Sequence, residues 1–164
     1  GRYQRLPRNI KESLREMLIA GKEGNYIGTF GYAQGIIDNL SFQVLSAYLT
    51  ASPFRGSGES VLRRVKNIWQ DLPDTFFEIN PQKIQSTLNG NKLSMRANVL
   101  CLMAVLPRAG YFFTPKRIAF LTQIMSMRTH NWQETVAKIS PEESLSLQNS
   151  VIEFVNSLLK EYEI

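Results

Sequence analysis

Residues 140–162, SPEESLSLQNSVIEFVNSLLKEY, decide the fold. Ser140 stands ahead of Pro141, Glu142 and Glu143, so a capping hydroxyl, a first-turn proline and a reciprocal glutamate together mark a helix start. Leu145, Leu147, Val151, Ile152, Val155, Leu158, Leu159 and Tyr162 then return at helical spacing. The same punctuation recurs upstream. Thr114-Pro115 reads as an N-cap followed by proline, and Phe113 with Ile118 sits at the spacing of a hydrophobic staple, which predicts a helix over about 115–128. Asn131 with Glu134 repeats the capping logic. Asn80-Pro81 opens a short helix to about Leu88, and Asn89-Gly90-Asn91 supplies a turn. The following stretch, 92–106, reads as a helix apolar on nearly every side, which belongs at the centre of the core.

Toward the beginning of the chain, 8–20 predicts an amphipathic helix. Leu6, Ile10, Leu14, Met17 and Leu18 share one face, and Arg8, Lys11 and Arg15 align on the other, joined by Lys22 if the helix runs on. Glu12 and Glu16 turn roughly a quarter circle away from that basic stripe. Gly21, Gly24, Gly28 and Gly31 interrupt the pattern before a second helix at about 30–50. Residues 52–58, SPFRGSG, form a loop. Val61, Val65, Ile68, Trp69 and Leu72 then make a third helix that Pro73 stops, with Arg63, Lys66 and Gln70 on its far side. No stretch carries convincing strand signals, and no repeat of fixed period is present. The expected fold class is therefore all-α, a single compact irregular bundle of about seven to eight helices. One domain over 1–164 is the expectation, with residues 1–6 flexible.

Composition narrows the chemistry. A chain of 164 residues that is 43% hydrophobic can bury roughly two thirds of the surface its unfolded form exposes, which suits one domain. The lone cysteine, Cys101, lies inside the apolar run 98–106, the setting of an inert buried thiol, so a disulfide scaffold is excluded. Metal chemistry needs clustered His, Cys, Asp or Glu, and the sequence offers a single histidine, His130, expected in a loop or at a helix end. Asp71 with Asp74 and Glu142 with Glu143 are explained by a helix end and a cap. The glycines at 21–28 and 56–58 fit neither dinucleotide nor Walker patterns, although Ser57, Gly58 and Glu59 could offer helix amides to a phosphate. No cofactor, no metal and no enzyme activity is expected. The longest apolar run falls short of the roughly 20 residues of a membrane helix. The opening Arg2, Arg5, Arg8, Lys11 and Arg15 lack the apolar core of an export signal. A soluble intracellular protein is expected, with cytoplasm and nucleus equally compatible.

Charge supplies the functional clue. Between Glu78 and Glu134 there is no acidic residue, while Lys83, Lys92, Arg96, Arg108, Lys116, Arg117 and Arg128 all fall inside the interval. Up to Glu78 there are ten Lys or Arg against eight Asp or Glu, and from Glu134 onward two against six, so the formal +5 is concentrated in the middle. Such a block attracts polyanions. Residues 107–117, PRAGYFFTPKR, interleave aromatics with cations on an expected interhelical loop, a composition suited to stacking single-stranded bases while cations pair with phosphates. Tyr111 is the aromatic left over if Phe113 staples and Phe112 packs. Arg96, a charge on the least polar helix, either reaches the surface, pairs with a carboxylate distant in sequence such as Glu153, Glu161 or Glu163, or lines a groove where its partner is a ligand.

The expected function is a non-enzymatic basic domain that binds nucleic acid, RNA or single strands in preference to duplex DNA, through phosphate contacts. Its candidate residues are Arg8, Lys11, Arg15, Arg63, Lys66, Arg96, Arg108, Tyr111, Lys116 and Arg117. Two alternatives compete. One is a protein–protein adaptor or homo-oligomer using the Leu147, Val151, Phe154, Leu158 seam of helix 141–162. The other is a peripheral structural protein on an anionic membrane, held by the basic amphipathic helix.

Overall fold

The structure, a computed structural model, describes residues 6–126 and 132–162 and is all-α. Among the described residues the chain forms α1 (Arg8–Lys22), α2 (Tyr26–Ala51), α3 (Gly58–Ile68), a one-turn 3-10 helix (Asp74–Phe77), α4 (Pro81–Leu88) and α5 (Met95–Val105). It continues with α6 (Ala109–Phe112), α7 (Pro115–Ser126), α8 (Trp132–Ala137) and α9 (Pro141–Glu161). Two compact units result. Unit one comprises residues 1–40 and 119–164, and unit two residues 41–118, so α2 and α7 each belong partly to both. No described helix is long and apolar enough to cross a membrane.

Unit one is built on α1 against α9. Ile10, Leu14, Met17 and Ala20 give α1 its buried face, and Leu147, Val151, Phe154 and Leu158 give α9 its own. The α9 seam expected to serve a partner is consequently buried within its own unit. Ser140 Oγ accepts the Glu143 N–H at 3.1 Å, as the cap predicts, but its hydroxyl also donates to Glu143 Oε1, in place of the expected bond from the Ser140 amide. Leu18, placed by spacing on the apolar face, is exposed, and Ala20 takes the position one turn on from Met17. Leu6, expected in a flexible leader, is buried. A positive φ of 72° at Gly24 turns the chain into α2, where Asn25 Oδ1 accepts the Gly28 N–H. Buried Gln34 donates its Nε2 to the Ile124 carbonyl, in the last turn of α7. Arg128, His130, the Asn131 cap and Glu163 lie outside the described residues.

Unit two is organised around α5, in which Met95 and Ala97 through Ala104 are all buried. Helices α3 and α4 pack on it and on each other, and α6 packs on its end. The α5 helix begins three residues later than its hydrophobicity suggests, because Ser94 Oγ accepts the Ala97 N–H and sets the start there, which leaves Leu93 exposed. Helix α3 ends at Ile68, not at Leu72. Trp69 leaves the helical path, donates its indole N–H to the Phe113 carbonyl at 3.1 Å and meets the Phe113 ring edge-on. Gln70 therefore lies beyond the helix, and Ile68, expected in the core, is 43% exposed. At the other end of α3 the chain runs so close to α4 that a Cβ on Gly58 would collide with the Pro81 carbonyl. Cys101 is fully buried, and burial pushes its thiol up to about 12.

Candidate nucleic-acid interface

Each unit is described by its own charges. Counted over the sequence, unit one has nine Lys or Arg against ten Asp or Glu, a formal −1. Unit two has ten against four, a formal +6. The whole positive excess of the chain thus belongs to residues 41–118, and the four acids there, Glu59, Asp71, Asp74 and Glu78, all precede the acid-free interval.

The candidate residues divide accordingly. Arg8, Lys11 and Arg15 belong to unit one. Arg8 and Arg15 are exposed and Lys11 is half-buried, but the stripe is not free of acid: Arg8 Nε donates to Glu12 Oε1 at 3.0 Å across one helical turn. A side chain of that length spans the offset between the two faces, so the quarter-circle separation does not insulate the cation. The pair is exposed, and such pairs are worth about 0.5 kcal/mol.

The other seven candidates belong to unit two, and the six cations among them fall into two kinds. Arg96 and Arg117 are half-buried and hold the fold. Arg96 Nη1 donates to the carbonyls of Thr75 and Phe76 at 2.8 and 3.0 Å, closing the end of the 3-10 helix. Its partners are backbone carbonyls, which none of the alternatives weighed from sequence named. Arg117 Nη1 donates to the Phe112 carbonyl at 2.8 Å while its guanidinium lies 4.6 Å from the centre of the Phe112 ring. These contacts pin α6 to the start of α7, whose cap is the bond from the Arg117 N–H to Thr114 Oγ1.

Arg63, Lys66, Arg108 and Lys116 are exposed. Lys66 places its ammonium over the Phe77 ring, 4.9 Å from the ring centre, while the residue as a whole is exposed. Arg55, Arg64 and Lys83 are exposed too and were not among the candidate contact residues. For Arg64 the signal was present: Val61 and Val65 define the buried row of α3, which puts both Arg63 and Arg64 off it. The phosphate role considered for the α3 amides is not available in the same way. Ser57 and Ser60 satisfy one another in a capping box, and the Gly58 N–H donates to Gln85 Oε1 at 3.2 Å.

The segment 107–117 differs most from expectation. It is not a plain loop, since Ala109–Phe112 forms the turn of α6. Arg108 introduces it at φ 57°, the left-handed conformation that a residue with a Cβ adopts at a cost of about 1 kcal/mol. Its carbonyl accepts the N–H groups of Tyr111 and Phe112. Phe112 and Phe113 turn inward, 5% and 1% exposed, and pack edge to face with ring centres 5.0 Å apart. Tyr111 turns outward and is 86% exposed.

Comparison with known protein families, curated proteins and solved structures finds no match to this chain.

Proposed function

We propose that the chain is a non-enzymatic nucleic-acid-binding protein whose contact surface lies on unit two, preferring RNA or single strands. The observation that carries this reading is the charge of that unit: ten Lys or Arg against four acids, with Arg63, Arg64, Lys66, Lys83, Arg108 and Lys116 all at the surface. A basic surface of this kind neutralises phosphates and releases their counterions, so its affinity is steeply salt-dependent and little tied to sequence. Arg96 and Arg117 serve it indirectly by fixing the segments that carry the exposed cations.

The test is fluorescence anisotropy of a labelled mixed-sequence single-stranded RNA titrated at 50 and 200 mM salt. Binding that weakens by about fiftyfold or more between the two concentrations is expected if four or more phosphates are neutralised. Absence of binding at the lower salt would refute the reading.

A further inference from the structure

We propose that Tyr111 is a stacking platform for one base of a single-stranded polynucleotide, with Arg64 and Lys116 meeting phosphates of the same strand. The proposal rests on the nucleic-acid reading above and adds to it the class of strand and the contact that selects it.

A tyrosine ring that is 86% exposed contributes little to its own fold, yet this one is held on a built support. The two residues after it are both buried, Phe113 almost completely, and the Tyr111 N–H is bonded to the Arg108 carbonyl at 3.0 Å. Arg117 clamps the far side of α6 through both the ring and the carbonyl of Phe112. An aromatic presented on a fixed one-turn helix loses little conformational entropy when a planar ligand covers it, since its backbone is already ordered.

The surroundings have the chemistry of a base-and-phosphate site. Gly110 abuts α3, where a Cβ at that position would stand 3.3 Å from Ile68 Cγ2. Ile68 is itself 43% exposed, so a second apolar group adjoins the segment that carries Tyr111. One turn before Ile68 on the same row of α3 is exposed Arg64, and five residues after Tyr111 is exposed Lys116. No carboxylate occurs between Glu78 and Glu134 to oppose a phosphate along that stretch of chain. A base can occupy an exposed ring only when it is unstacked from its neighbours, which a single strand permits and a duplex does not.

The experiment compares a single-stranded oligoadenylate with an RNA duplex of equal length, by anisotropy at low salt, on the wild-type chain and on Tyr111→Ala, Tyr111→Phe and Lys116→Glu. The proposal expects tighter binding of the single strand, and a loss of about tenfold or more with Tyr111→Ala. Tyr111→Phe keeps the ring and the affinity. The salt slope is unchanged in Tyr111→Ala, which removes no charge, and is reduced in Lys116→Glu. The substituted side chains are exposed, and thermal melts identical to wild type check that each variant folds. Binding of the single strand that Tyr111→Ala leaves within twofold of wild type overturns the stacking contact while leaving the phosphate reading intact. Equal affinity for the duplex overturns the strand preference. Failure of the wild-type chain to bind either polymer overturns the nucleic-acid reading and the stacking contact with it.

Discussion

Units one and two carry almost the same number of Lys and Arg, nine and ten, yet one sums to −1 and the other to +6. The difference comes from where the acids fold. The acidic end of the chain, with Glu142, Glu143, Glu153 and Glu161, belongs with the basic stripe of α1, while residues 41–118 keep only four acids. A helical stripe of cations is therefore weak evidence of a binding face until the charge of its own folded unit is known. Long-range potential depends on the sum over the unit, whereas the stripe reports only one helix.

The contrast can be broken or sharpened by substitution. The largest effect is expected at Gly58, where any side chain meets the Pro81 carbonyl, a backbone atom that cannot swing aside. Gly58→Val should destabilise unit two by about 3 kcal/mol, seen as a fall in the denaturation midpoint. Next comes Arg96→Leu, which takes the guanidinium donor from the Phe76 and Thr75 carbonyls, of which Thr75 keeps only the Glu78 N–H at 3.3 Å, and should cost about 1–2 kcal/mol. Its RNA affinity should fall less than that of Lys116→Glu, because Arg96 acts in the fold and Lys116 at the surface; the opposite ranking in an anisotropy titration would return Arg96 to the contact surface.

Cys101 reports on unit two alone. Its thiol stays neutral in the fold up to about 12, whereas in the unfolded chain it ionises near 8.5. Above that lower value the unfolded state binds fewer protons than the folded one, so this group's contribution to stability is fully present below about pH 8.5 and is lost as pH rises toward 12. Alkylation by iodoacetamide at pH 8 should proceed only as fast as unit two opens, and should accelerate in Gly58→Val. The smallest effect is expected in unit one: Glu12→Gln removes the exposed pair with Arg8 and should shift stability by about 0.3–0.5 kcal/mol.

Much of this architecture was legible in the sequence. Ser140-Pro141, Asn80-Pro81 and Thr114-Pro115 each placed a helix start correctly, because capping is local chemistry that tertiary contacts rarely override. The departures arise where a distant contact wins. Trp69 is drawn out of helix α3 by Phe113, 44 residues away, and the turn of α6 depends on the left-handed backbone at Arg108, which no local pattern announced. The candidate site was half legible for the same reason. Exposed Arg63, Lys66, Arg108 and Lys116 follow from charge and periodicity, but the diversion of Arg96 and Arg117 onto backbone carbonyls depends on which carbonyls the fold brings within their reach. Tyr111 was the residue left over after its two neighbours were assigned to packing, and the burial of Phe112 and Phe113 leaves it alone at the surface.

The central claim is that binding resides in unit two, and paired charge reversals test it most directly. One variant carries Arg63→Glu, Arg64→Glu and Lys116→Glu, and the other Arg8→Glu, Lys11→Glu and Arg15→Glu, so both change the net charge by the same amount. With single-stranded RNA at 50 mM salt, the unit-two variant should lose more than about a hundredfold in affinity and the unit-one variant only a few-fold, the share owed to net charge. Equal losses, or a larger loss from the unit-one variant, would contradict the account.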